Sequence, residues 1–378
     1  MKYWRGYLVA AILAACTWAF QEFAQSHSKL VDMVYPYITR MVQTFMAGWS
    51  GGVEFCLWQA ILLALIVLVV ASIVLMVIFR WNPIQWFGWV VAVASLILLL
   101  HTGIFGMNEY AGPIDEDIRL SNTEYDEAKL ETAAEFFLDK ANELSGRTTG
   151  NFTLDQLNAQ APEGFEKLVY EQYYSVFAGS TLPVKELDMA QWFTQRGEMG
   201  YTVAITGEAA LNPETPAFMQ PFAVCREMCY RMCIATARDK HFGAFLASQA
   251  NEDPNFQYAA YVMAYRYCLE ALPQATAGTL NARANEKVKA DVKTWNEFVA
   301  PAEALAAEKA AKEGLKETTT AEVAELLTRW HYQEIIIPSI TEPEHEFDPM
   351  DETQVDLSGI VNAPVSTVTT ESEETTEE

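Results

Sequence analysis

Residues 55–79 read FCLWQAILLALIVLVVASIVLMVIF, a run of 25 residues without a charge. About 20 apolar residues rising 1.5 Å each span a hydrocarbon core, and buried helices of soluble proteins rarely stay apolar all round for that length. The run is therefore a membrane span. Working outward, residues 84–105 form a second such run, whose most polar members are Gln85 and His101. The tight turn Arg80-Trp81-Asn82-Pro83 joins the two, and Trp81, Trp86 and Trp89 sit where an interfacial aromatic belt would. A shorter apolar stretch, residues 6–21, follows Lys2 and Arg5 and gives a third span. These charges place the N-terminus and the Arg80 turn in the cytoplasm, and residues 106–378 outside it. A competing reading of the first span is a lipobox, Leu13-Ala14-Ala15-Cys16, with lipidation of Cys16; it leaves residues 106–378 on the same side.

Charge divides the rest. The chain has 378 residues and a formal charge of −25. Residues 341–378 hold twelve acidic residues and no Lys or Arg. This balance argues against nucleic acid as a partner, since phosphate binding needs a basic face. The Thr/Glu/Pro-rich segment 339–378 reads as a disordered tail. Between span and tail, residues 106–338 read as a mainly helical domain. Helical spacing predicts helices over 126–144, 163–178, 221–248, 254–272, 280–316 and 320–333. Tyr201 to Ile205 is the best strand candidate. No internal repeat of solenoid period is present.

The chemistry concentrates in residues 205–248, ITGEAALNPETPAFMQPFAVCREMCYRMCIATARDKHFGAFLAS. Cys225, Cys229 and Cys233 recur every four residues and so lie along one helix face, a spacing that rarely meets disulfide geometry. Cys is among the most buried residue types, so the bland reading is core packing.

This stretch resembles the core of domain-of-unknown-function family 3810, a group of bacterial membrane proteins. The likeness runs along most of the chain. It includes His101 to Tyr110 (HTGIFGMNEY), Thr206-Gly207-Glu208-Ala209 with Asn212, residues 291–298 and Lys312-Glu313-Gly314. The resemblance implies N-terminal membrane spans and a helical, metalloprotease-like (zincin-like) extracytoplasmic domain with a His-Glu-x-x-His helix. In that motif two imidazoles one turn apart hold zinc, and the Glu activates its bound water.

Here the motif is degenerate. Arg226, Glu227, Met228, Cys229 and Tyr230 stand at the five positions. Glu227 keeps the base position, Asp239 matches the downstream acid, and both His positions are lost. Arg226 has no lone pair to offer a metal, and Tyr230 ligates poorly near neutral pH. The expectation is a membrane-anchored pseudopeptidase without a metal cofactor, in which the Arg226 guanidinium fills the vacated cation position and pairs with Asp239 or Glu227. Its partner would be an envelope protein or peptide at the bacterial cytoplasmic membrane. Two alternatives stay open: an active metallopeptidase holding zinc through Cys225, Cys229, His241 and Asp239, and a purely structural envelope protein. Arg226 as an ordinary surface residue of a drifted helix is equally open. Glu208 could line the cleft or cap a helix.

Overall fold

The computed structural model describes residues 4–313 and 319–341. Met1–Ile336 form one compact unit. The chain opens with α1 (Arg5–Ser26), α2 (Ser28–Ser50), α3 (Leu57–Ile78) and α4 (Pro83–Ile104). Helices α1, α3 and α4 are each 22 residues long and apolar enough to cross a membrane. The first outruns the predicted span 6–21 by more than a turn; the other two match within two residues.

Helices α1 and α4 run parallel with their backbones in contact. A Cβ at Gly6 would lie 2.6 Å from the Gly88 carbonyl carbon, and Tyr7 covers Gly88. Small residues permit this close approach where lipid supplies no hydrophobic drive between helices. The N-terminus of α1 and the Arg80 turn therefore share one end. Helix α3 stands apart, with only Gln59 buried; Trp86 Nε1 donates to Ser72 Oγ at 3.1 Å to hold it to α4.

Helix α2 was not foreseen from the sequence. Lys29, Asp32, Pro36 and Arg40 interrupt its composition, yet its pattern is amphipathic. Val31, Thr39, Gln43 and Ala47 are buried toward the rest of the molecule. Leu30, Met33, Tyr37, Ile38, Met41, Phe45 and Trp49 are exposed on the other side. Gln43 Nε2 donates to the Ala204 carbonyl at 2.9 Å, and Thr39 pairs with Asn108 at 3.2 Å.

Beyond α4 come α5 (Ile114–Asp117), α6 (Glu127–Ser145), α7 (Leu154–Tyr170), β1 (Lys185–Glu186), α8 (Ala190–Thr194), β2 (Gly200–Val203) and β3 (Glu208–Leu211). Then follow α9 (Gln220–Arg231), α10 (Ala237–Ala250), α11 (Pro254–Ala271), α12 (Gln274–Arg283), α13 (Glu286–Glu313) and α14 (Thr319–His331). The core lies among α6, α7, α9, α10, α11 and α14, around Phe137, Phe165, Phe222, Phe245 and Tyr265. The domain is mainly helical, as the spacing predicts. Helix α15 (Ile337–Thr341) belongs to a second unit. The predicted disordered tail, 339–378, begins inside α15, so its first three residues are helical; from residue 342 onward it lies outside the described residues.

Three helix boundaries differ from the sequence reading, each for a local reason. The predicted helix 163–178 is instead α7, started at Thr153 by a capping box with Gln156 and stopped before Tyr173, whose φ is +60°. The predicted helix 221–248 breaks after Arg231. Cys233 takes φ +72°, its N–H donates to Tyr230 O, and the Ile234 N–H donates to Cys229 O at 3.1 Å. That is a Schellman stop with Cys where glycine is usual, so no glycine signalled it. Thr236 then caps α10 through the Asp239 N–H at 3.1 Å. The predicted helix 280–316 breaks at Ala284 and restarts where Asn285 accepts from the Val288 N–H at 2.9 Å.

The sheet order is β1-β3-β2, with β1 parallel and β2 antiparallel to β3. Strand β2 thus lies at an edge. Glu208 opens β3 and reaches the first turn of α3. Its carboxylate accepts from the Leu57 N–H at 2.8 Å and the Trp58 N–H at 2.9 Å, and takes the Lys185 ammonium at 2.6 Å. Lys185 also donates to the Ser50 and Phe55 carbonyls. An anion at a helix N-terminus satisfies orphan N–H groups and meets the positive end of the dipole. Glu208 therefore caps a helix, the second of its two sequence readings, and fastens the sheet to a membrane span.

Candidate functional site

Helix α9 lies against the sheet with β2 across it. The packing is close at Gly200, where a Cβ would come within 2.8 Å of Glu227 Cγ. This places the Glu227 carboxylate under β2 and away from water. Its Oε1 accepts from Arg226 Nη1 at 2.8 Å, and its Oε2 accepts from Thr202 Oγ1 at 2.7 Å. Arg226 also approaches the half-exposed Glu198 at 3.4 Å. Arg226 and Glu227 are only 6% and 3% exposed. Burial opposes the charge on Arg226, but Glu227 and Glu198 outweigh it and hold the guanidinium above its ordinary pKa. Arg226 is thus a buried ion-pair partner, not a surface residue.

A recess of about 120 Å³ opens here, lined by Glu198, Gly200, Tyr201, Thr202, Arg226, Glu227, Tyr230 and Lys240. The Tyr230 ring stacks on Phe105 with centroids 4.5 Å apart and has the Lys240 ammonium 5.3 Å from its centroid. Burial raises the Tyr230 hydroxyl pKa, so it stays protonated at neutral pH. Lys240 makes no ion pair among the described residues; Arg226 and, secondarily, burial bring its pKa down to about 8.

The other predicted residues lie elsewhere. Asp239 does not meet Arg226: its ion pair is with Arg238 at 3.6 Å, and it borders a separate recess with Asp32, Arg40 and Asp117. The helix break at Cys233 to Thr236 is the cause, since it re-aims everything after α9. Burial raises the Asp239 carboxyl pKa. Cys229 Sγ packs on Gly243, where a Cβ would come within 3.1 Å of it. Cys225 is fully buried, and burial pushes its thiol up to about 12. His241 shares a 2.8 Å hydrogen bond between Nδ1 and the Tyr267 hydroxyl; burial first, then Arg226, hold its pKa well below the usual value.

These donors do not suit zinc. At the positions where the sequence resemblance would place a motif, Arg226 offers no lone pair, Tyr230 is protonated, and both Glu227 oxygens are engaged by other donors. Cys225, Cys229, His241 and Asp239 do not converge, and among the described residues no three His, Cys, Asp or Glu side chains do. Edge strand β2 and a lysine without a carboxylate partner among the described residues border one recess. Sequence reasoning missed Thr202, Lys240 and Glu198. The alternation of the strand predicted over 201–205, observed as Gly200–Val203, could have pointed to Thr202; nothing local signals the other two.

Comparison with curated proteins gives no match, and comparison with solved structures gives none. The family model described as "Protein of unknown function (DUF3810)" matches residues 31–315. That interval starts in α2, takes in α3 and α4, and runs through the whole recess. The chain belongs to this family of proteins of unknown function.

Proposed function

We propose that the chain is a membrane-anchored, catalytically degenerate metallopeptidase-like protein that binds an extended segment of an envelope protein or peptide without cutting it. The observation behind this reading is the buried Arg226–Glu227 pair. It puts a fixed cation beside the base position, and with the Thr202 hydroxyl it engages each oxygen of that carboxylate with a protein donor in competition with water. Strand β2 supports the binding half of the proposal. An edge strand offers unpaired main-chain groups that an extended peptide can use, with Lys240 beside it for side-chain selection. Arg5 and Arg80 at one end of the spans support an extracytoplasmic place for the domain at the opposite end.

The test uses the full chain in lipid nanodiscs. Decapeptides selected from a random pool should bind and be recovered intact by mass spectrometry. N-methylation of alternate peptide residues should weaken the selected binders about tenfold or more, because methylated amides cannot pair with a strand edge. Cleavage of the peptides, or indifference to N-methylation, would contradict the proposal.

A further inference from the structure

A second recess of about 410 Å³ lies beside the first, between α3 and the sheet end of the domain. One wall is membrane helix: Leu62, Leu63 and Ile66. The other is domain: Met189, Trp192 and Tyr201. Its volume falls in the range of about 300–1,000 Å³ typical of small-ligand sites. Its lining is apolar and aromatic throughout.

The position in the bilayer follows from the chain. Helix α2 joins the ends of α1 and α3 on the domain side, and its exposed stripe, including Met41, Phe45 and Trp49, suits the boundary between headgroups and acyl chains. Ile66 is then roughly 14 Å below the start of α3, at 1.5 Å per residue. That is about half of a 30 Å hydrocarbon core, one leaflet deep. Met189, Trp192 and Tyr201 are 46%, 52% and 47% exposed, a cluster of large side chains turned toward the span rather than into the domain core.

We propose that this groove is a binding site for an acyl chain of a bilayer lipid, with its headgroup at the level of Trp192 and Tyr201. The chain lies along Leu62, Leu63 and Ile66 and is covered by Met189. Tyr201 is common to the linings of both recesses, so the acyl-chain groove adjoins the recess at Glu227. The inference does not rest on the peptide reading: it needs only the groove and the span.

The experiment reconstitutes the full chain in phosphatidylethanolamine/phosphatidylglycerol nanodiscs doped with a phosphatidylcholine whose acyl chain bears a diazirine. After irradiation, adducts are mapped by mass spectrometry. Adducts on residues 189–193, which lie outside every span, are expected in addition to adducts at Val77 and Ile78 from ordinary surrounding lipid. Leu63→Trp, a filler on an exposed face of α3, should lower the ratio of the first to the second about tenfold. Met189→Lys, on the domain wall, should lower it as well, so the result does not hang on one variant. Adducts confined to the spans, or a ratio unchanged in both variants, would overturn the proposal.

Discussion

Arg226 Nη1 and Glu227 Oε1 lie 2.8 Å apart, both side chains buried, on two successive residues of one helix. Successive helical side chains leave about 100° apart, so the pair forms only because the long arginine folds back over its neighbour. Truncating one partner strands the other charge. Arg226→Met should cost about 3–5 kcal/mol in denaturant unfolding of the detergent-solubilised chain. Arg226→Met with Glu227→Gln should recover much of that loss, since the double variant leaves no buried charge alone.

Glu208 predicts a mechanical coupling. Its carboxylate holds two N–H groups of α3 and the Lys185 ammonium. Glu208→Ala should destabilise the chain by about 2–4 kcal/mol, given hydrogen bonds to a charged group of roughly 1.5–3 kcal/mol each that are only partly replaced by water. Limited proteolysis should then cut first within residues 51–56, the link the cap holds. An unchanged proteolytic pattern would show that the cap does not couple domain and span.

Lys240 should be the most readily modified lysine near neutral pH. Its pKa of about 8 means that its neutral fraction rises through that pH, well before an ordinary lysine. Mass-spectrometric mapping of reductive methylation against pH should give a midpoint near 8. In Arg226→Gln the midpoint should move upward, because Arg226 is the largest cause of the shift.

His331 predicts the acid side of the stability profile. It is buried against Phe136, with ring centroids 4.8 Å apart, and burial takes its pKa down to about 4. The unfolded chain, with an ordinary value near 6.5, binds the proton first. Stability should therefore fall as pH drops from about 6.5 to about 4, and level off for this group below that. His331→Phe should flatten this limb in thermal melts between pH 7 and 4.

Gly164 tests the packing of α7 on α10. A Cβ there would collide with the Ala247 carbonyl oxygen, which is backbone and cannot move alone. Gly164→Ala should cost about 1–3 kcal/mol or more, as overpacking does, despite the better helix propensity of alanine. A stabilised variant in chemical denaturation would mean the two helices are not in this contact.

Much of the architecture was legible because its signals are local and strong. The spans need only uncharged length, and α6, α11 and α14 repeat apolar residues cleanly. Helix α2 was hidden because its apolar stripe faces outward and its charges interrupt the run. The stop at Cys233 was hidden because a cysteine does the work of a glycine. At the site, Arg226 against Glu227 was legible as one of two pairings. The choice between Glu227 and Asp239 depended on that unseen stop, and so did the scattering of Cys225, Cys229, His241 and Asp239. Glu208 at the head of α3 is a contact between residues some 150 positions apart, which no local pattern announces.

The most direct test of the account is the zinc content of the full chain, purified in detergent after zinc supplementation and washed. The guanidinium of Arg226 as the resident cation predicts well under stoichiometric zinc. Stoichiometric zinc that is lost on changing Cys225 and Cys229 to Ser, or Glu227 to Gln, would contradict it.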